Sequence, residues 1–297
     1  MFNPTEADTS DPKKRKARFK MTGGKGILIL AICPDVPESY FNVKTIFDHI
    51  KLLLLKDFNL TGDLKIINIE CGIGTHSSMF PCPFCLTFKD KNGFWVQAEL
   101  RTWKSIIENY ENWVSSGSNP DDLKHYKNCS NPPMIGPGTD EPVLWKISPP
   151  ALHIYLGANH ILKSLQKQWG YLVPWLKEVL HIVFAPYHGE TLEGNDLAKV
   201  LANLEKLSEV VPEEFAEYLH CLACFKEVTN ACLTSKQLSN NYQEKITEFS
   251  ESVYALKRDF KMTISNKMHI LISDVPRFID KVKRTFYKQK DIYITNC

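Results

Sequence analysis

A chain of 297 residues that is 43% hydrophobic and 11% aromatic can bury a sizeable core, which excludes a wholly disordered protein. Its 36 basic and 34 acidic residues leave a net charge of +2, so no global field singles out nucleic acid, and any basic surface must be local. Nine cysteines, an odd number, behind no apolar leader argue against a secreted disulfide framework, and no apolar run is long enough to cross a bilayer. The expectation is a soluble intracellular protein with reduced thiols and no membrane partner.

In chain order, residues 1–22 are predicted as a disordered basic tail. Their run Lys13-Lys14-Arg15-Lys16-Ala17-Arg18 reads either as a solvated tail or as a nuclear-import or phosphate-contacting arm. Gly23, Gly24 and Gly26 lack phosphate-loop spacing and precede a strand. Residues 27–32 (ILILAI) are apolar on both faces, the pattern of a doubly covered strand. Phe41, Val43, Ile46, Phe47, Ile50 and Leu53 then recur at helical spacing. A short strand over 57–60 ends at Thr61-Gly62-Asp63, and a helix over 64–69 is stopped by Gly72 and Gly74. This βαβα order predicts a partial α/β core over 23–88 with parallel neighbours. Asp63 falls at a strand's carboxyl edge, where open α/β sheets collect ligands. The same position serves equally well as the N-cap of the next helix.

Residues 89–150 read as a turn-rich insertion with one helix, marked by the stripe Trp103, Ile106, Ile107, Tyr110 and Trp113. From 151 to 285 the chain is predicted helical. One helix runs from Leu152 to Trp169, and a second, capped by Asn195, spans Leu197 to Leu207. A third spans Phe215 to Val228 and a fourth Tyr242 to Phe260. Residues 286–297 read as a second tail.

Two CxxC pairs differ in setting. Cys82-Pro-Phe-Cys85 lies in a proline-bracketed turn, where two thiolates can converge on one ion and supply half of a tetrahedral zinc site. Cys221-Leu-Ala-Cys224 lies inside an apolar helix and reads as core cysteine. The missing ligands must come from distant histidines or carboxylates, and no local argument selects among His153, His160, His181, His188, His220 and His269. Glu190, Glu193 and Asp196 form the densest acid cluster, with the bland reading of acids at a helix N-terminus. No paired-carboxylate motif accompanies Asp63, although two-metal phosphoryl transfer needs several converging acids.

Four blocks, TGDLKIINIECGIG followed by CPFC, ENYENW, ALHIYLGANHILKSL and NKMHILISDVPRFI, together resemble the catalytic core of the V(D)J recombinase large subunit and Transib-type transposases. These belong to the RNase H-like DDE recombinases. The resemblance implies an incomplete RNase H-like α/β core joined to a zinc-stapled helical bundle. It carries the middle acid of the catalytic triad onto Asp63 and a structural zinc onto Cys82, Cys85, His269 and Asp274. Asp274 stands where the family has a second histidine, five residues after the first and just before Val-Pro. Because residues five apart do not share a helical face, the helix is expected to end at Val275-Pro276 and let residue 274 turn back.

The first and third acids of the triad have no counterpart. The resemblance therefore implies a transposase-derived, catalytically inactive nuclear protein that retains binding to DNA, to a protein partner or to a second copy of itself. One alternative is an active transposase or nuclease, magnesium-dependent and recruiting acids such as Glu193 or Asp274. Another is a zinc-stabilised protein-interaction module with no nucleic-acid role.

Overall fold

The computed structural model describes residues 28–29, 39–50, 59–74, 78–136, 138–184, 191–233, 238–282 and 291–294. The basic run at 13–18, the glycines at 23–26, His188 and Glu190 lie outside them. The described residues are mostly helical, with two small sheets among them. Strand β1 (Leu28–Ile29), helix α1 (Tyr40–Ile50), strand β2 (Asn59–Gly62) and helix α2 (Leu64–Glu70) follow one another as the periodicity predicts. A hairpin of β3 (Phe88–Lys89) and β4 (Trp95–Val96) leads into α3 (Trp103–Ser115). Thr102 and Ser105 cap α3 reciprocally: each side chain accepts the other's backbone N–H at 3.0 Å, and the helix buries Trp103 and Ile106 from the predicted stripe.

The helical region comprises α4 (Ala151–Tyr155), α5 (Asn159–Gln168), α6 (Leu172–Glu178), α7 (Gly194–Ala202), α8 (Leu204–Ser208), α9 (Ala216–Cys232), α10 (Tyr242–Phe260), α11 (Asn266–His269) and α12 (Val275–Val282). Helices α9 and α10 form its centre. Tyr218, Leu222, Phe225 and Val228 interdigitate with Phe249, Val253 and Leu256, and the Phe225 and Phe249 rings meet edge to face at 5.4 Å. Full burial of each such side chain stabilises the fold by about 1.5–3 kcal/mol. Cys221 and Cys224 lie in this interface as core residues; burial raises both thiol pKa values, Cys221 to about 12.

The structure corrects four expectations. Residues 286–297 are more than a tail: β5 (Asp291–Ile294) is the middle strand of a parallel sheet ordered β1-β5-β2, with Leu60 facing Ile292. The predicted helix over Leu152–Trp169 is broken by a 3₁₀ turn at Leu156–Ala158. There Gly157 packs against α11, and Asn159 turns inward to exchange two hydrogen bonds with the Leu192 backbone at 2.9 and 3.0 Å. The second helix starts at Gly194, so Asn195 lies in its first turn and Glu193 is the cap residue; the helix also breaks at Asn203, whose side chain bonds back to the Lys199 carbonyl. Finally, Pro276 does not end its helix.

Helix α2 is buried on nearly every side. Its C-terminus turns at Gly72, where φ is 69° and an added Cβ would lie 2.1 Å from the Asn131 carbonyl oxygen. Glu70 closes this helix, fully buried, with no partner for either carboxylate oxygen among the described residues. Burial alone raises its pKa from 4.5 to about 8. Between those values the folded protein holds a proton that the unfolded chain has released, so stability falls as pH rises through that window. Glu70→Gln is expected to flatten that fall and to raise stability at pH 8 by a few kcal/mol, measured by urea denaturation at pH 5 and pH 8.

Candidate metal centre

The CPFC turn and the segment after α11 meet in the interior. Cys82 and Cys85 sit in a loop whose backbone is pinned from below. The Arg101 guanidinium, only 1% exposed, donates from Nε to the Cys82 carbonyl at 2.9 Å and from Nη2 to the carbonyls of Phe80 (3.1 Å) and Lys127 (3.0 Å). The Phe84 N–H points at Cys82 Sγ from 3.4 Å, and Asn266 reaches across to the Pro81 carbonyl. This turn is held in place before any ion is considered.

His269 ends α11, and Asp274 ends a π-helical turn, Ile270–Asp274, that continues directly into α12. In an α-helix, residues five apart point about 140° away from each other. Pro276 has no N–H to donate, and its ring would crowd the carbonyl four residues back. The chain widens by one residue instead: the Val275 N–H bonds to the Ile270 carbonyl, five back. In this i→i+5 turn His269 and Asp274 come to lie one above the other. The proline that was expected to stop the helix is what aligns the pair.

The donor atoms of Cys82, Cys85, His269 and Asp274 all lie within 4.8 Å of one another, and all four residues are buried. Asp274 Oδ2 is 3.2 Å from Cys82 Sγ, 3.7 Å from Cys85 Sγ and 3.6 Å from His269 Nε2, and Cys85 Sγ is 3.2 Å from that nitrogen. Trp95 covers the imidazole at 4.9 Å between ring centroids. Asp274 Oδ1 has no hydrogen-bond partner, with the Arg277 guanidinium 4.0 Å away. Such a set of two sulfurs, one nitrogen and one oxygen, converging and dry, could hold a metal ion. It is the sole such group among the described residues.

The protonation states fit the same reading. A hydrogen bond from Cys82 holds the Cys85 thiol well below its ordinary pKa, with His269 assisting, while burial pushes Cys82 well above. Burial followed by the Cys85 charge raises Asp274 to about 8. For His269 burial opposes the charged form, but the Cys85 hydrogen bond and the Asp274 charge raise its pKa. Without an ion, the four donors share protons that a cation would displace.

Asp63 stands apart. Its carboxylate caps α2, accepting the Lys65 N–H at 2.6 Å, and its other oxygen meets His153 Nε2 at 2.8 Å. Partial burial works against ionisation, but His153, then the Lys65 N–H and Lys267, hold its pKa below the ordinary value. The groups acting on it are cationic or donors, with no second carboxylate among the described residues. Glu193 lies at the start of α7 and is not among the four converging donors. Nothing in the sequence signals Arg101, whose partners are backbone carbonyls, and His153, one of the candidate histidines, pairs with Asp63 instead of a metal because of the packing of α4.

No protein-family model matches this chain, and a search of curated proteins finds no significant match.

Proposed function

We propose that Cys82, Cys85, His269 and Asp274 hold a structural zinc ion that clips the α/β unit to the last helices. On this reading the protein is a non-catalytic member of the DDE-recombinase type, retained for binding. The observation carrying the zinc assignment is metric. Tetrahedral zinc with Zn–S near 2.3 Å and Zn–N or Zn–O near 2.0–2.1 Å requires ligand atoms about 3.3–3.8 Å apart. The four separations above run from 3.2 to 3.7 Å. The mixed thiolate, imidazole and carboxylate set suits zinc, and its enclosure leaves no open position for substrate. The zinc would supply cross-linking energy; Trp95 and Arg101 keep the site dry and the turn in register.

The non-catalytic reading rests on Asp63. A two-metal mechanism needs carboxylates clustered around the ions, whereas Asp63 is spent on an N-cap and an imidazole. Purified protein is expected to leave supercoiled and hairpin-ended DNA intact in magnesium or manganese. Nicking that vanishes in Asp63→Ala would establish the active nuclease instead.

Metal capture should also depend on pH with a defined sign. Cys82, His269 and Asp274 must each give up a proton, so affinity rises with pH and falls as the solution is acidified. Zinc release to a chromogenic chelator is expected to accelerate steadily between pH 8 and pH 5. A rate independent of pH would mean that these side chains are not the ligands.

A further inference from the structure

A second cluster, separate from the metal donors, gathers cations where the hairpin, α5, α10 and α11 meet. Helix α5 carries His160 and Lys163 one turn apart. Helix α11 brings Lys267 onto the turn just before them, where a Cβ added at Gly157 would lie 3.4 Å from Lys267 Cβ. The hairpin is fastened alongside by the Trp95 Nε1–H donating to the Ile264 carbonyl at 3.1 Å, which holds Lys89 over the Trp95 ring at 4.8 Å. Lys257 reaches the hairpin tip, 5.7 Å from the Phe94 ring. Lys163 is exposed, and the other three lysines are half-buried.

These groups repel one another. His160 feels Lys89, Lys163 and Lys267, and Lys89 feels Lys257. Desolvation and then that crowd of charge push His160 down to about 4, so at neutral pH its imidazole is uncharged and offers a hydrogen bond while the lysines supply the charge. Among the described residues, no carboxylate lies within ion-pair distance of any of the four lysines. The acid that acts on Lys267 is Asp63, already held by His153 at 2.8 Å. Partly desolvated like charges with no counter-charge destabilise a fold unless an anion joins them.

We infer that Lys89, Lys163, Lys257 and Lys267, with His160, form a binding site for a compact ligand bearing several phosphate groups. Two features favour a small polyphosphate over a nucleic-acid strand. The four lysines come from four different elements, β3, α5, α10 and α11, and not from one face of one helix. The aromatic faces that could stack bases are occupied, Trp95 by Lys89 and His269, and Phe94 by Lys257 and Tyr254. The site is independent of the zinc assignment and of the inactive-recombinase reading.

Isothermal titration of the purified full-length protein with inorganic tripolyphosphate, at fixed ionic strength, tests it. Tripolyphosphate is expected to bind at one site per chain, well above orthophosphate and sulfate. Lys267→Gln and the exposed Lys163→Gln should each weaken it about tenfold, the worth of one charge-assisted hydrogen bond. Absence of tripolyphosphate binding, or binding that both variants leave unchanged, overturns the proposal. Tight binding of a short DNA duplex without tripolyphosphate binding also overturns it, and would give these lysines to the nucleic-acid role instead.

Discussion

Replacing Cys82 by serine is expected to release the bound metal and lower the melting temperature by roughly 6 °C, about 4 kcal/mol for a protein of this size. The loss should concentrate where the clip acts. Cys82 and Asp274 are 192 residues apart in sequence, so an ion held between them would close a loop of most of the chain and fix the π-helical turn against the CPFC loop. Hydrogen exchange is expected to show α11, the π-helical turn and α12 opening in the variant while the α9–α10 pair stays protected, since that pair is held by apolar packing. Chelation of the wild-type protein should reproduce the pattern. Uniform loosening of the whole molecule would mean that Cys82 matters as core filler and not as a ligand. Asp274→His, which restores a nitrogen donor, provides the opposite sign: tighter metal retention at acid pH with the fold unchanged.

Arg101→Met is expected to destabilise the protein by about 3–5 kcal/mol without removing any ligand, because three buried carbonyls lose their donor at once. The guanidinium is enclosed among the Phe80, Cys82 and Lys127 carbonyls and the Cys129 thiol, with no carboxylate in ion-pair contact among the described residues. It therefore acts as a hydrogen-bonding frame for the metal loop. Arg101→Lys retains the charge but cannot span three carbonyls with a rigid fork, so it should recover less than half of the loss. The variant's metal affinity is the discriminating readout: under conditions where both proteins are fully folded, a loosened CPFC turn should shed zinc faster than wild type. Equal zinc off-rates would confine Arg101 to general core stability.

The parts of this molecule that were legible in its sequence are those carried by local periodicity or by residue chemistry. Helices α2, α3, α9 and α10 follow from apolar spacing, and the Asp63 cap from a short acid ahead of such a run. The CxxC spacing in a proline-bracketed turn marked Cys82 and Cys85 as candidate donors, and both belong to the buried cluster that could hold a metal ion. Nothing local marked their partners: His269 and Asp274 were brought in by the family resemblance, and their geometry was misjudged. A proline such as Pro276 signals a helix stop, because a missing N–H usually ends a helix; here the chain absorbs the defect as a π-helical turn with its following helix intact.

Elements that depend on long-range backbone pairing were invisible for a different reason. Strand β5 is four residues long in a charged segment, and its role is set by β1 and β2, which lie more than 200 residues earlier. The same holds for Arg101, since carbonyl acceptors leave no trace in the pattern of side chains. The break at Gly157 and the Asn159–Leu192 bridge preserve the apolar spacing on both sides, so periodicity alone reads them as one helix.

The central claim is that one zinc ion joins the CPFC turn to the π-helical turn. X-ray absorption at the zinc edge, on protein purified without added metal and assayed for zinc per chain, tests it most directly. One zinc per chain is expected, with two sulfurs near 2.3 Å and two nitrogen or oxygen atoms near 2.0–2.1 Å. A folded chain without zinc, or a sphere of four sulfurs or of oxygens and nitrogens alone, would contradict it.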